Sequence, residues 1–183
     1  MHWFWKWYLW SDDWKIKGLL PPELKKAVIV VAPHTHWLDF IVGLAVRSVM
    51  RMTHVKFLGK AELFKPPFGF LFRWLGGTPV DRLGNKQLVD AVVAKFDAAD
   101  RLVLALSPEG TRQRVDRLRT GFYHIARQAR VPIVMAALDF DNRKVVFAPP
   151  FMPTEDEQAD IKRILQFFRP VKGKIPEQSL GHL

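Results

Sequence analysis

Apolar and polar positions switch between two periods along this chain, and the switches divide it into elements. Short aliphatic runs at Val28–Val31 and Leu102–Leu106 read as buried strands, because continuous apolar runs of this length suit a sheet covered on both faces, and Val55–Gly59 and Val131–Leu138 also read as strands. Thr78–Arg82 reads as a further short strand ending in charge, and Lys144–Phe147 as an edge strand. Between them the spacing is helical. Asp39–Met52 carries apolar residues at 41, 44, 45, 49 and 52, and Asn85–Asp100 sets Leu88, Val92, Val93 and Phe96 on one face behind Asn85 as a cap. Thr120–Arg130 is a further helix. Thr154–Arg169 is amphipathic and opens on Thr154-Glu155-Asp156-Glu157, the pattern of a capping box. Lys60–Gly77 would continue as helix, but Pro66-Pro67 breaks it. Its aromatic residues Phe64, Phe68, Phe70, Phe72 and Trp74 either pack in the core, line an apolar groove or touch lipid. Strands alternating with helices predict an α/β fold, a single domain with a largely parallel sheet flanked by helices.

The amino terminus has a different character. Residues 1–14 hold five of the seven tryptophans, and Trp3, Trp7, Trp10 and Trp14 recur at the spacing of one helical stripe. Tryptophan favours the membrane–water boundary, where its ring is sheltered and its N–H stays wet. The segment therefore reads as a Trp-rich amphipathic anchor lying in the interface over residues 1–20, or else as a helix whose tryptophans pack on the domain. Leu20-Pro21-Pro22 separates it from a folded unit over 21–170, and a loose tail is expected over 171–183.

Composition narrows the setting. The 183 residues are enough for one domain with a sizeable core. There is no cysteine, so disulfides, thiolate nucleophiles and cysteine metal sites are excluded. A net charge of +10 asks for an anionic partner: nucleic acid, an anionic membrane surface or a phosphorylated substrate. Charged residues interrupt every long apolar run, so no transmembrane helix is expected, and a secretory signal is not evident.

Three polar turns each follow a short apolar strand: PHTHWLD at 33–39, GTPVDR at 77–82 and SPEGTR at 107–112. In open α/β sheets such turns, at the carboxyl ends of strands, are where sites form. His34 and Asp39 are five residues apart and can meet only if His34 lies in the turn before a helix whose first turn holds Asp39. The carboxylate would then accept one imidazole N–H and leave the other nitrogen free to take a proton from a hydroxyl. No serine accompanies the pair, so the nucleophile would be the substrate's own hydroxyl. Arg82 and Arg112 can bring two guanidiniums to the same edge, where their forks suit phosphate oxygens. Gly110 permits close backbone approach, Thr111 offers a hydroxyl and an amide, and Glu109 orients an arginine or the loop rather than taking a proton.

The order of these turns resembles the glycerolipid acyltransferase family, whose best-known members are the 1-acyl-glycerol-3-phosphate acyltransferases. The family's histidine–four residues–aspartate motif is matched by His34-Thr-His-Trp-Leu-Asp39, its glycine-led strand ending in arginine by Gly77-Thr-Pro-Val-Asp-Arg82, and its third motif by Ser107-Pro-Glu-Gly-Thr-Arg112. Val131-Pro-Ile-Val134 matches the fourth, with Met135 where proline is usual; Pro33 replaces an asparagine and Ser107 a phenylalanine. The resemblance spans about residues 28–138. It implies transfer of a fatty acyl chain from acyl-CoA or an acyl carrier protein to a lysolipid hydroxyl, with His34 and Asp39 catalytic and Arg82, Glu109, Gly110, Thr111 and Arg112 on the acceptor. It also implies no cofactor beyond the thioester co-substrate, and a peripheral place on the cytoplasmic face of a membrane.

Other readings compete. His34, His36 and Asp39 could be three ligands of a metal-dependent hydrolase, although His54 and His124, the other internal histidines, lie beside no motif. No G-x-S-x-G elbow supports a serine hydrolase. Six arginines between 112 and 130 could bind nucleic acid, but no recognised motif accompanies them, and those at 114, 117 and 119 suit anionic lipid equally well. The partners expected are therefore an anionic membrane surface, a lysolipid and the acyl carrier, with no nucleic acid. A silent lipid-binding protein on the same fold is the last alternative.

Overall fold

The computed structural model describes residues 2–67, 69–80 and 85–183. Among these, seven strands form one sheet: β1 (Lys15–Lys17), β2 (Lys26–Ala32), β3 (Val55–Lys60), β4 (Gly77–Val80), β5 (Leu102–Leu106), β6 (Ile133–Asp139) and β7 (Lys144–Phe147), in the order β1-β7-β6-β2-β5-β3-β4. The block β6-β2-β5-β3-β4 is parallel throughout, so its carboxyl ends share one edge. Only β7 follows its neighbour β6 through a short turn, and it runs antiparallel, as a tight hairpin requires. Lys144–Phe147 is not the edge strand expected. Lys15–Lys17 pairs outside it in parallel, from Lys15 opposite Lys144 to Lys17 opposite Val146. A three-residue strand reading Lys-Ile-Lys carries too little apolar pattern to be seen in the sequence.

Helices α1 (His2–Ser11), α2 (Leu38–Val49), α3 (Gly69–Trp74), α4 (Asn85–Ala98), α5 (Gly121–Gln128) and α6 (Glu157–Phe168) flank the sheet. Strand β2 shows why both faces are covered. Val28, Val30 and Ala32 point into one core with Phe96 of α4, Tyr123 of α5 and Phe168 of α6. Ala27 and Ile29 point into the other, with Val42 and Val46 of α2 and Leu9 of α1. The α/β architecture with a largely parallel sheet is thus as expected. The Asn85 side chain and Arg82 lie outside the described residues.

Two local expectations shift. The cap of α6 is Asp156, whose carboxylate accepts from Ala159 N at 2.9 Å, while Thr154 turns to Asp160 Oδ2 through both its hydroxyl and its amide. The amino-terminal tryptophans divide. Trp3, Trp7 and Trp10 are 80%, 59% and 77% exposed, whereas Trp14 is 7% exposed and meets the Phe140 ring edge-on at 4.9 Å. The helix ends at Ser11, so Trp14 leaves the stripe and enters the core. No helix among the described residues is long and apolar enough to cross a membrane.

The loose tail expected after Pro170 is corrected. Val171 and Leu180 are buried, Leu180 completely, and both belong to the core beside α6. Gly173 N donates to Ser179 Oγ at 2.9 Å and Ile175 N to Thr35 Oγ1 at 3.2 Å. These contacts join residues up to 140 positions apart, so no local pattern announces them. Truncating Leu180 leaves a cavity; Leu180→Ala should cost about 2–5 kcal/mol, read as a lower denaturant midpoint at unchanged slope.

Candidate active site

Strand β2 ends at Ala32, and residues 33–37 carry the chain over the carboxyl edge of the sheet into α2. Asp39 sits in the first turn of α2, 3% exposed, and reaches back over that turn. Its Oδ2 accepts from Thr35 N at 2.7 Å and His36 N at 2.8 Å, and lies 3.1 Å from His34 Nδ1. Its other oxygen, Oδ1, is buried with no hydrogen-bond partner among the described residues. With Nδ1 turned to a carboxylate, a neutral imidazole carries its proton there and presents Nε2 as an acceptor. The His34 side chain is 25% exposed, so that nitrogen is reachable. His36 turns elsewhere: its Nδ1 accepts from Leu38 N at 3.3 Å. Among the described residues no group of three or more histidines and carboxylates converges as a metal site would need.

The turn after β5 grips the same histidine from behind. Glu109 is 1% exposed, and both its oxygens accept from His34 N, at 2.9 and 3.0 Å. Ser107 Oγ donates to Glu109 Oε2 at 2.8 Å. Of the two expectations for Glu109, acceptor contact or loop orientation, this geometry fits the second. Burial pushes its carboxyl above the usual carboxylate range and the Asp39 charge adds to that, while the hydrogen bonds from His34 and Ser107 and the His34 charge oppose it. Gly110 follows at φ +65°, where a Cβ would also stand 2.9 Å from the Arg119 side chain. Thr111 is half-buried, and its hydroxyl accepts from Gln113 N. Arg112 is exposed on the same loop.

The carboxyl-terminal segment braces both turns, which no sequence pattern indicated. Besides the bond from Ile175 N to Thr35, Gly173 packs so close that a Cβ there would lie 2.6 Å from Thr35 Oγ1. The Gln178 carboxamide, oriented to match its surroundings, donates to Thr35 O at 3.1 Å and to Arg112 O. His182 Nε2 lies 2.7 Å from Val115 O, just beyond the second turn.

Between α2 and the sheet an apolar cavity of about 250 Å³ runs inward from the site. His34, Asp39 and Ser107 stand at one end, and Gly43, Phe57, Ala105 and Leu138 are among the residues along its walls. A Cβ built on Gly43 meets nothing within 4 Å.

A family model described as Acyltransferase matches residues 15–139, a stretch that contains both turns and the sheet beneath them. The chain belongs to the acyltransferase family. It is also 34% identical over 84 residues to a 1-acyl-sn-glycerol-3-phosphate acyltransferase of Cocos nucifera, a match that spans 43% of this chain and 27% of that relative's length. No solved structure gives a significant match.

In this acyltransferase the Glu109 carboxylate holds the amide of the histidine whose ring Asp39 orients. Glu109→Ala leaves the His34 N–H without its acceptor and should cost about 1–3 kcal/mol. Glu109→Gln keeps a carbonyl oxygen for that amide and should cost less. A carboxyl raised in the folded state contributes stability below its unfolded pKa and loses it as pH rises through the folded value. The stability of the wild type relative to Glu109→Gln should therefore fall as pH rises from 4 towards neutrality, measured by denaturation at each pH.

Proposed function

We propose that this acyltransferase moves a fatty acyl chain from a thioester, acyl-CoA or acyl carrier protein, to the hydroxyl of a lysophospholipid-type acceptor such as 1-acyl-glycerol-3-phosphate. The observation that carries this reading is the 3.1 Å contact of His34 with a buried Asp39 at the end of an apolar cavity. The acceptor hydroxyl binds against His34 Nε2. As its oxygen attacks the thioester carbonyl carbon, its proton passes to Nε2, and Asp39 stabilises the imidazolium. The tetrahedral intermediate then collapses, the carbon–sulfur bond breaks, and His34 returns the proton to the leaving thiolate. Base assistance of this kind is worth ~10²–10⁴-fold, and alignment of the two substrates adds to it. The thioester and the acceptor supply every atom exchanged, so no resident cofactor is needed.

The acyl chain occupies the cavity under α2, whose walls are mostly apolar, with Arg47 and Lys56 also among the lining residues. Arg112, with Arg82, holds the acceptor phosphate, and Gly110 and Thr111 shape the turn that carries Arg112. The likeness to the coconut enzyme supports a glycerophosphate acceptor. The exposed tryptophans of α1 support work at a membrane surface, where both acceptor and product reside, and the expected place is the cytoplasmic face. The proposed interfacial anchor, expected over 1–20, narrows to α1, because Trp14 enters the core and Lys15–Lys17 joins the sheet, and both belong with the catalytic unit.

His34→Ala and Asp39→Asn should each reduce acyl transfer by ~10²-fold or more while the protein stays folded. Arg112→Ala should raise KM for 1-acyl-glycerol-3-phosphate far more than for the thioester; an effect on the thioester alone would move the anion site elsewhere. An amino-acid lipid or glycolipid accepted in preference would keep the mechanism and change the acceptor. Filling the open space beside Gly43 should shift the preferred chain length: Gly43→Leu should lose activity with long acyl chains and retain it with short ones, measured by thiol release across a chain-length series.

A further inference from the structure

Helix α3 and the 3-10 turn before it, Ala61–Phe64, project from the edge of the sheet at β4. Phe64 is buried and pins them there, its ring meeting Phe72 at 6.1 Å. With that face of α3 turned inward, the opposite face is presented to solvent. Phe70, Leu71 and Trp74 are 72%, 39% and 61% exposed, and Leu63 on the preceding turn is 46% exposed. Residues 70, 71 and 74 share one side of a helix by their spacing. The exposed basic residues Lys65 and Arg73 flank them. The folded chain therefore holds three large apolar side chains outward on a short helix and a fourth on the turn before it, fixed by an aromatic contact and flanked by Lys65 and Arg73.

Both α1 and the residue that follows the α3 turn reach the carboxyl end of α2. On α2, Ser48 O accepts from His2 Nδ1 of α1 at 3.1 Å, while the guanidinium of the preceding residue, Arg47, packs beside Gly76, just past α3. The helix that carries the exposed tryptophans, through His2, and the residue just past α3, Gly76, thus contact adjacent residues at one end of α2. Aromatic rings with interspersed lysine and arginine match the headgroup boundary of an anionic bilayer in both polarity and charge. A second copy of the chain suits the patch less well, because a two-fold contact of the patch with itself would bring like charges together.

We propose that Leu63, Phe70, Leu71 and Trp74, with Lys65 and Arg73, form a second lipid-contacting element that works beside α1. Two attachments at one end of α2 hold the enzyme in a defined orientation, where α1 alone leaves it free to pivot. The proposal rests on the membrane reading of α1, and its test separates the two. Full-length wild type, Phe70→Ser/Trp74→Ser, Lys65→Glu/Arg73→Glu and, as the α1 control, Trp3→Ser/Trp7→Ser are sedimented with vesicles of phosphatidylcholine, with or without phosphatidylglycerol. The three variants carry surface substitutions, and thermal midpoints unchanged from wild type verify that they fold. Phe70→Ser/Trp74→Ser should lower vesicle partitioning ~10-fold or more, since each ring removed forfeits a large buried apolar area. Lys65→Glu/Arg73→Glu should lose most of the gain that phosphatidylglycerol gives to wild type. If only the α1 variant loses binding, the α3 element is refuted and the membrane reading stands. If wild type fails to bind either vesicle, both are refuted. A wild-type dimer in solution that Phe70→Ser/Trp74→Ser dissociates, without a change in vesicle binding, overturns the proposal in favour of self-association.

Discussion

Two buried carboxylates hold one turn. Asp39 collects the amides of Thr35 and His36 together with the His34 ring, and Glu109 collects the His34 amide from the opposite side. Neither acid is solvated, being 3% and 1% exposed, so each depends on donors that the turn supplies. The dependence is mutual. Without the carboxylates the amides of residues 34–36 would lose these acceptors at the carboxyl edge of the sheet. Without those amides two buried carboxylates would lie near each other with fewer donors; burial first, and the Asp39 charge to a lesser degree, raises the Glu109 carboxyl, and the bonds from His34 and Ser107 oppose that rise. The position of the His34 ring follows from this balance, and so does the chemistry proposed for it.

The sheet makes that balance possible. Because β2 and β5 are hydrogen-bonded neighbours running in parallel, from Lys26 opposite Leu102 to Val30 opposite Leu106, their turns leave the same edge side by side. Glu109 then reaches His34 although 75 residues separate them. The same geometry leaves space beneath α2, where small residues at Gly43 and Ala105 keep the wall back from the cavity. The proposed acyl pocket, the proposed base and the contacts made by α1 and by Gly76, just past α3, are then distributed along α2.

Much of this was legible before the fold was seen, for physical reasons that differ by element. The central strands are continuous apolar runs, which only burial on both faces rewards, and the chain reads them out directly. The meeting of His34 with Asp39 follows from helix geometry, since a five-residue separation closes only across a turn. The rest depends on contacts between distant residues. Lys15–Lys17 is a strand only because Lys144–Phe147 offers it a partner. The tail from Pro170 is polar in character yet packed, because Thr35, Ser179 and the core around Leu180 fix it. Trp14 fits the exposed stripe by number and leaves it because the helix stops first. Ser107 counted only as a departure from the family's phenylalanine until its hydroxyl was found on Glu109.

The central claim is that Asp39 holds the proton of His34 on Nδ1 and leaves Nε2 as the base. Two-bond nitrogen–proton spectra of the His34 ring, in wild type and in Asp39→Ala, test it without reference to any substrate. The account predicts the Nδ1–H tautomer for neutral His34 in the wild type, and loss of that preference once the carboxylate is removed. A neutral ring protonated on Nε2 in the wild type, or a tautomer indifferent to Asp39, would contradict it.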